Sequence, residues 1–273
     1  MKFRGEKDLR EDLKVPKLLW RERFNAFGAS LLLFSILVVI SLPALEGAGR
    51  ELDYLRNLHS FAGKFFPPDW SATPQILRAL GETVQIAVMA TFFAVILALP
   101  LAIAGAQNIA PRWLNMAVRM ILNGVRTLPS LIWALLAVAV VGPNSLAGVI
   151  GLTFYSLGYL GKFFSDAFES VDTEISDGLR SAGADRLQAF QYGLLPQVKP
   201  LILSHALWML EYNIRSAAII GYVGAGGIGL LLHTFQEYGQ WQKFLTVLIF
   251  ILALVTTLDF FGEWLRGKLT KNQ

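Results

Sequence analysis

Apolar residues of this chain are gathered into long runs that polar stretches separate. Six runs reach roughly 20 residues, the length that an α-helix needs to cross the hydrocarbon core of a bilayer. They occupy residues 26–45, 83–105, 114–141, 145–165, 200–223 and 243–263, and the third contains Pro129. We therefore predict an all-α integral membrane protein, with six transmembrane helices over residues 26–265.

The composition agrees with a membrane-embedded chain. Hydrophobic residues make up 54% of it and charged residues only 16%, whereas soluble domains carry about 25% charged residues. The first apolar run is too long for the core of a secretory signal peptide, so we expect it to remain as a transmembrane helix. The chain has no cysteine, which excludes disulfides and thiolate chemistry.

Lysine and arginine are unequally distributed between the two sides of the predicted bundle. When residues near the end of a span are counted with the adjoining loop, seventeen of the 24 fall on the side of the two termini and five on the other side, and Arg126 and Arg215 remain within spans. Because cytoplasmic loops are enriched in these residues, both termini are predicted to be cytoplasmic. Residues 1–25 and 266–273 then form cytoplasmic segments, 173–199 a cytoplasmic loop, and 48–82 the longest extracytoplasmic segment.

Two segments outside the spans carry helical signals. Apolar residues in the extracytoplasmic segment recur at helical spacing and predict a short interfacial helix. They are Leu52, Leu55, Leu58, Ala62 and Phe65. Pro67 and Pro68 break this helix, and Pro74 suits the first turn of the next one. Residues 1–25 form either a surface helix on the cytoplasmic leaflet or a solvated tail.

A polar stretch at residues 177–196 lies between the fourth and fifth apolar runs. Thr173 and Ser176 are candidate N-caps for a short helix, and Gly183 can adopt the left-handed conformation that ends it. Residues 184–192 are expected to form a second short helix. Its apolar face would consist of Leu187, Phe190 and Leu194. Such a helix–turn–helix fits a groove on another protein, although a loop that packs on its own bundle has the same periodicity.

The same stretch resembles the loop by which permeases of the ABC importer class hold their ATPase subunit. That loop is written E-A-A, three residues, Gly, nine residues, Ile, any residue, Leu-Pro. The residues that would form this ATPase-coupling loop are Asp177, Gly178, Leu179, Ala182, Gly183, Leu195 and Pro196. Gly178 and Leu179 depart from the two alanines, and Gly193 departs from the isoleucine.

Residues 80–265 resemble the permease subunit of phosphonate importers, a branch of the type I ABC importers. The resembling stretches include RTLPSLIWALLAV at 126–138 and IRSAAIIGYVGAGGIGLLL at 214–232. The resemblance implies that the chain moves a phosphonate or a related phosphorus oxyanion (phosphite, hypophosphite or phosphate). The movement would be import across the bacterial inner membrane by alternating access.

The resemblance also implies partners. A second copy of the chain, two ATP-binding subunits and an extracytoplasmic substrate-binding protein would complete the importer. ATP and Mg would be bound by the ATPase subunits, so no cofactor is expected in this chain. The alternatives are a type I permease for methionine, another oxyanion or an organic cation, and a stand-alone secondary transporter or membrane scaffold.

Three charged residues inside the spans are candidates for the translocation path. They are Arg126, Glu211 and Arg215. Ionised groups within a bilayer tend to face a cavity and to pair, and the latter two stand four apart on one helix face, where they can pair. A guanidinium suits the oxygens of a phosphonate. The alternatives are a structural role for the pair and a position at a helix end for Arg126.

Four glycines follow the fifth apolar run: Gly224, Gly226, Gly227 and Gly229. They match the dinucleotide pattern G-x-G-x-x-G, but no strand precedes them, so a nucleotide site is not expected. In the resembling family this region lies at the external gate, where glycines permit close helix approach and could serve as a hinge. A plain helix-ending loop is the alternative.

No motif for catalysis is present. His59, His205 and His233 are scattered and lack metal-ligand spacing, so no metal site is expected. The nearest approach to a phosphate-binding loop, at residues 262–269, lacks the Ser or Thr after the lysine and follows a membrane helix. We therefore expect a non-catalytic subunit that does not bind nucleic acid.

Overall fold

The computed structural model describes residues 26–45 and 53–270. The predictions for residues 1–25, for Leu52 and for the end of the tail lie outside the described residues. The chain divides into two compact units, Met1–Leu58 and His59–Gln273.

The first unit contains helix α1, Ala26–Ser41, which a 3-10 turn at Leu42–Leu45 extends. This apolar segment is long enough to cross a membrane, and none of its most apolar window is buried. Helix α2, Tyr54–Gly63, begins in this unit and continues into the second. It carries Leu55, Leu58 and Ala62, as the periodicity of the extracytoplasmic segment predicts, but it ends at Gly63, before Phe65 and before the expected break at Pro67.

The second unit is a bundle of helices, and the described residues include no strand. The helices are α3 Thr73–Gly105, α4 Arg112–Thr127, α5 Ser130–Val141, α6 Ser145–Ser170, α7 Glu174–Ser181, α8 Arg186–Ala189, α9 Leu195–Ile220, α10 Ile228–Glu237 and α11 Trp241–Thr270. Across the described residues four helices are long and apolar enough to span a membrane, and the number rises to six if two bent pairs each count as one span. The all-α prediction is confirmed at this level.

The third predicted span is not one helix. Helices α4 and α5 meet at a bend of 86°, and Leu128 and Pro129 lie between them in extended conformations. Proline has no N–H and disfavours helical geometry in the residue before it, which explains the break. The Trp133 indole N–H donates to the Val125 carbonyl at 3.1 Å and fixes the two helices across the bend.

Helix α3 presents a stripe of alanines to the core of the bundle. Ala90, Ala94, Ala98 and Ala102 stand four apart and are fully buried. Large side chains from α6 fill the space beside part of this stripe, including Leu160, Phe164 and Phe168. Small residues on one helix and large ones on its neighbour allow close packing without cavities.

Helix α6 carries glycines where neighbouring backbones approach it most closely. A Cβ atom at Gly151 would lie 2.7 Å from the Cα of Ala134 on α5. At Gly158 it would lie 3.1 Å from the backbone nitrogen of Arg126 on α4. A Cβ at Gly151 would force the α5 backbone to shift, and one at Gly158 would make an unusually tight contact with α4, so both glycines favour the close approach of these helices to α6.

The segment before α3 is fixed to the start of α11. The Thr246 hydroxyl donates to the Asp69 carbonyl at 2.9 Å. The Asp69 carboxylate accepts from the backbone N–H of Ser71 at 2.9 Å, and the hydrogen bonds from Ser71 lower the pKa of Asp69. Pro74 lies in the first turn of α3, as predicted.

Candidate coupling segment and translocation path

Residues 173–196, which we call the coupling segment, form the predicted pair of short helices. Gly183 separates α7 from α8 with a φ of +101°, the region that glycine populates without strain. A capping box starts α8: the Asp185 carboxylate accepts from the Gln188 N–H, and the Gln188 side chain accepts from the Asp185 N–H. These features give the turn a defined shape.

Two details of the coupling segment differ from the prediction. Thr173 occupies the N-cap position of α7 without a side-chain hydrogen bond, and Ser176 lies inside the helix and does not cap it. The Asp172 carboxylate accepts from the Glu174 N–H instead. Helix α8 has no break after it, because a π-helical turn at Phe190–Leu194 joins it directly to α9. Pro196 therefore lies in the first turn of α9.

Gly193 has a steric reason to replace the isoleucine of the resembling loop. A Cβ atom at this position would lie 2.9 Å from the Cα of Ser176 on α7. The π-helical turn thus packs against the backbone of α7, and a larger residue would separate them. The departure from the family pattern preserves the close contact between the two halves of the segment.

The expected apolar face of the second short helix is divided. Leu194 is buried, but Leu187 is 63% exposed. The exposed apolar residues of the coupling segment are Ile175, Leu187 and Tyr192. Charged residues of both signs line a shallow hollow of about 630 Å3 beside them: Asp177, Arg180, Asp185 and Arg186. The segment therefore presents apolar and charged groups together, as a protein contact surface does.

A polar network joins the ends of α3, α4 and α6 near the coupling segment. Arg119 Nη2 lies 2.7 Å from a carboxylate oxygen of Glu169, and its Nε donates to the Gly105 carbonyl at 3.0 Å. The same carboxylate accepts from the Gln107 N–H at 2.6 Å. This network was not predictable from the sequence, because its bonded members lie up to 62 positions apart and have no shared motif.

Glu211 and Arg215 do not form the expected pair along α9. Each binds a residue of α11 instead: Glu211 pairs with Arg266, and Arg215 pairs with Asp259. Gly262 of α11 faces Glu211, where a side chain would collide with the carboxylate. Helix α9 supplies the acid of one ion pair and the base of the other, and the two pairs hold α9 to α11.

A cleft of about 870 Å3 opens between α5, α9, α10 and α11. Its walls are mostly apolar, and Arg215, Tyr222, His233 and Glu237 provide polar groups. His233 Nδ1 lies 3.7 Å from a Glu237 carboxylate oxygen. With Asp259 beside Arg215, the charges in and next to this cleft are largely balanced.

Arg126 lies in the last turn of α4, beside the bend. Its guanidinium carbon is 5.3 Å from the centroid of the Tyr159 ring on α6, a cation–π geometry. Within the part of the chain that the structure describes, no carboxylate lies within ion-pair distance of Arg126.

A hydrogen-bond junction that the sequence analysis missed joins three spans. The Asn213 amide on α9 donates to Thr91 on α3 and to Ser156 on α6, each at 2.9 Å. Asn213 and Ser156 are fully buried. A lone asparagine in an apolar run at residues 200–223 was the available signal, since such residues bond across helices inside membranes.

The glycines after α9 form a tight loop against α3 and α6. Gly224, Gly226 and Gly227 have positive φ angles. The Thr83 hydroxyl on α3 accepts from the Ile228 N–H at 2.8 Å. A Cβ at Gly226 would lie 2.7 Å from a carboxylate oxygen of Glu82. Gly229 lies in α10, where it packs on the end of α9.

Comparison with known proteins identifies relatives of this chain. Residues 90–271 match the family described as the binding-protein-dependent transport system inner membrane component. The chain is 36% identical over 249 residues to the phosphite transport system permease protein PtxC of Stutzerimonas stutzeri, covering 90% of this chain and 89% of that protein. It is 31% identical over 208 residues to the phosphate-import permease protein PhnE of Mycolicibacterium smegmatis, covering 76% of this chain and 39% of that protein.

The fold is similar to that of a solved transporter. A chain of the MetNI methionine ABC transporter in an inward-facing conformation superposes with a TM-score of 0.66 at 23% identity. The match covers 74% of this chain and 99% of that chain.

Proposed function

Since the chain belongs to the family of inner membrane components of binding-protein-dependent transport systems, we propose that it imports a phosphorus oxyanion. It is the permease subunit of an ABC importer. The similarity to the phosphite permease PtxC over 90% of this chain carries the substrate proposal. The relative named for phosphate import extends the range of ligands within the same chemistry.

The proposal includes a topology for the importer in the bacterial inner membrane. The bent pair α4–α5 forms one crossing, and α9 with the glycine loop and α10 forms another. With α1, α3, α6 and α11 this gives six crossings and places both termini in the cytoplasm. The unequal distribution of lysine and arginine between the loops supports this orientation.

The proposal also includes an assembly. Two copies of the chain pair in the membrane, and each holds one ATPase subunit at its coupling segment, with ATP and Mg bound to that subunit. The turn at Gly183 and the exposed groups around it, Asp177 among them, support this role. A substrate-binding protein delivers the ligand at the opposite end of the bundle.

Within this assembly the path of the ligand involves the charged residues inside the spans, Arg126, Glu211 and Arg215. The glycine loop acts as the external gate. Its positive φ angles and its contacts with Glu82 and Thr83 give it a defined resting position. Alternating access then requires that the external end of the bundle, at this loop, and its cytoplasmic end open one after the other.

The proposal is tested by ATP hydrolysis in the complex of this chain with its ATPase and binding protein, reconstituted in proteoliposomes. Phosphite, phosphate, methylphosphonate and methionine are compared as added ligands. We expect a phosphorus oxyanion to stimulate hydrolysis and to accumulate in the vesicles. Stimulation by methionine alone would replace the proposal with the second candidate, a methionine permease.

A further inference from the structure

We propose that Arg126 and the tyrosines Tyr155, Tyr159 and Tyr212 form an oxyanion-binding station inside the bundle. This inference rests on the proposed function and assigns a ligand-binding role to one set of side chains. Arg126 is the only one of the two in-span arginines without a carboxylate in ion-pair distance among the described residues. Arg215, in contrast, is neutralised by Asp259.

The position of Arg126 makes an unpaired charge significant. Its contact residue Tyr159 lies near the middle of the 26-residue helix α6, about 21 Å from the start of the helix and about 17 Å from its end at about 1.5 Å per residue. A charge at such a depth is costly unless it faces water, a partner or a ligand. Arg126 lies at the C-terminal end of α4, and the helix dipole favours a cation there. This interaction does not occupy the N–H donors of the guanidinium.

Three tyrosines form a row of rings that starts at Tyr159, the ring next to this charge, and each carries a hydroxyl. The ring centroids of Tyr155 and Tyr159 are 4.8 Å apart, and those of Tyr155 and Tyr212 are 5.2 Å apart in a stacked arrangement. Tyr155 is buried, whereas Tyr159, Tyr212 and Arg126 are half-buried. The cluster is therefore open on one side and packed on the other.

The chemistry of the cluster selects a class of ligand. A guanidinium offers five N–H donors in a planar fork, and each phenol offers one O–H donor. Planar forks bind phosphate-like oxygens by two parallel hydrogen bonds. Among the described residues no carboxylate lies within ion-pair distance of Arg126, so the guanidinium is not already neutralised by an acid that could instead hold an ammonium group. The cluster therefore suits phosphate, phosphite or a simple phosphonate and does not suit the zwitterion methionine.

The backbone explains how Arg126 reaches the tyrosines. Gly158 on α6 lets the Arg126 backbone approach, since a Cβ there would lie 3.1 Å from its nitrogen. Tyr159 is the next residue along α6. The glycine thus fixes α4 at the height where the guanidinium overlies the ring.

The test measures binding of radiolabelled phosphate to the assembled permease–ATPase complex in nanodiscs, without ATP and without binding protein. We expect Arg126→Gln to weaken binding at least tenfold, Arg126→Lys to weaken it less, and Tyr159→Phe to weaken it several-fold. The matched control is Arg112→Gln, an exposed arginine at the start of the same helix, and it should bind like the wild type. Unlabelled phosphite should compete, and methionine should not.

Several outcomes would overturn the station. They are wild-type affinity in Arg126→Gln, equal competition by methionine, or no binding by the wild-type complex. Nanodiscs of phosphatidylcholine and of phosphatidylglycerol separate the two sources of a phosphate group, and loss of free phosphate binding only in phosphatidylglycerol would assign the cluster to lipid. The proteoliposome assay separates the two proposals. If the wild-type complex accumulates a phosphorus oxyanion but the station fails its binding test, the proposed function stands and only the station is wrong.

Discussion

Asn213 donates to Thr91 and Ser156 on two other helices, so one buried side chain connects three spans. An asparagine is costly in an apolar environment unless its amide is satisfied. In this bundle the cost is offset by two hydrogen bonds that also specify how α3, α6 and α9 align. The junction fixes the register of these helices in a way that alanine and leucine packing cannot.

We expect Asn213→Ala to lower the free energy of unfolding by about 1–2 kcal/mol, because Ser156 is left buried without this partner. Thermal unfolding of the purified protein in detergent measures the change. Asn123→Ala is the matched control, since Asn123 is exposed on α4, and it should unfold like the wild type. Equal loss in both variants would contradict the assigned role.

The residues of the candidate site were predictable to different extents. The turn at Gly183 was predictable, because glycine adopts positive φ angles more readily than other residues do. The partners of Glu211 and Arg215 were not predictable, since spacing along one helix shows a local alternative but not a residue 55 positions away on another helix. Gly193 departs from the isoleucine of the resembling loop, and the structure gives the reason: a Cβ there would collide with the backbone of Ser176.

At the scale of elements, the coupling segment connects directly to a membrane helix. The π-helical turn at Phe190–Leu194 makes α8 and α9 continuous. A displacement of α8 is therefore transmitted to α9 without a flexible joint. The sequence predicted a second short helix over residues 184–192, whereas the chain stays helical beyond it, because Pro196 lies in the first turn of α9, where proline is tolerated.

We expect Gly183→Val to reduce ligand-stimulated ATP hydrolysis several-fold while the bundle remains folded. The reason is that valine is strained at a φ of +101°, although no atom lies within 4 Å of its Cβ position. Gly239→Val supplies the same kind of strain at a φ of +66° in the turn between α10 and α11. A similar loss in both variants would argue against a specific role of the coupling segment.

The ion pairs between α9 and α11 can be tested by exchanging charges. Arg215→Asp places two acids together and should destabilise the protein by about 1 kcal/mol, a modest amount because both side chains are about half exposed. Adding Asp259→Arg should restore stability, as measured by the thermal unfolding midpoint. Failure of the double variant to recover would show that the pair does not hold the helices.

At the scale of the whole molecule, the bent pair α4–α5 determines the number of membrane crossings. The sequence predicted one span at 114–141 from its apolar length, and it could not reveal an 86° bend. Two half-length helices at such an angle form either one broken crossing or a re-entrant loop. The proposed topology requires the broken crossing.

We expect single cysteines at Asn108 and Asn144 to react with a membrane-impermeant maleimide from opposite sides. The chain has no native cysteine, so each label reports one position. A cysteine at Ser181 marks the side of the coupling segment and should match Asn108. Labelling of Asn108 and Asn144 from the same side would convert α4–α5 into a re-entrant loop and remove one crossing.

The glycines of α6 have a consequence for motion. Where Gly151 and Gly158 lie against the backbones of α5 and α4, no side chain can change rotamer to absorb sliding. Helices α4, α5 and α6 must then move as one rigid body, with the alanine stripe of α3 packed beside them. Any conformational change during a transport cycle must then occur outside this block. The short connections at residues 106–111 and 221–227 would act as its hinges.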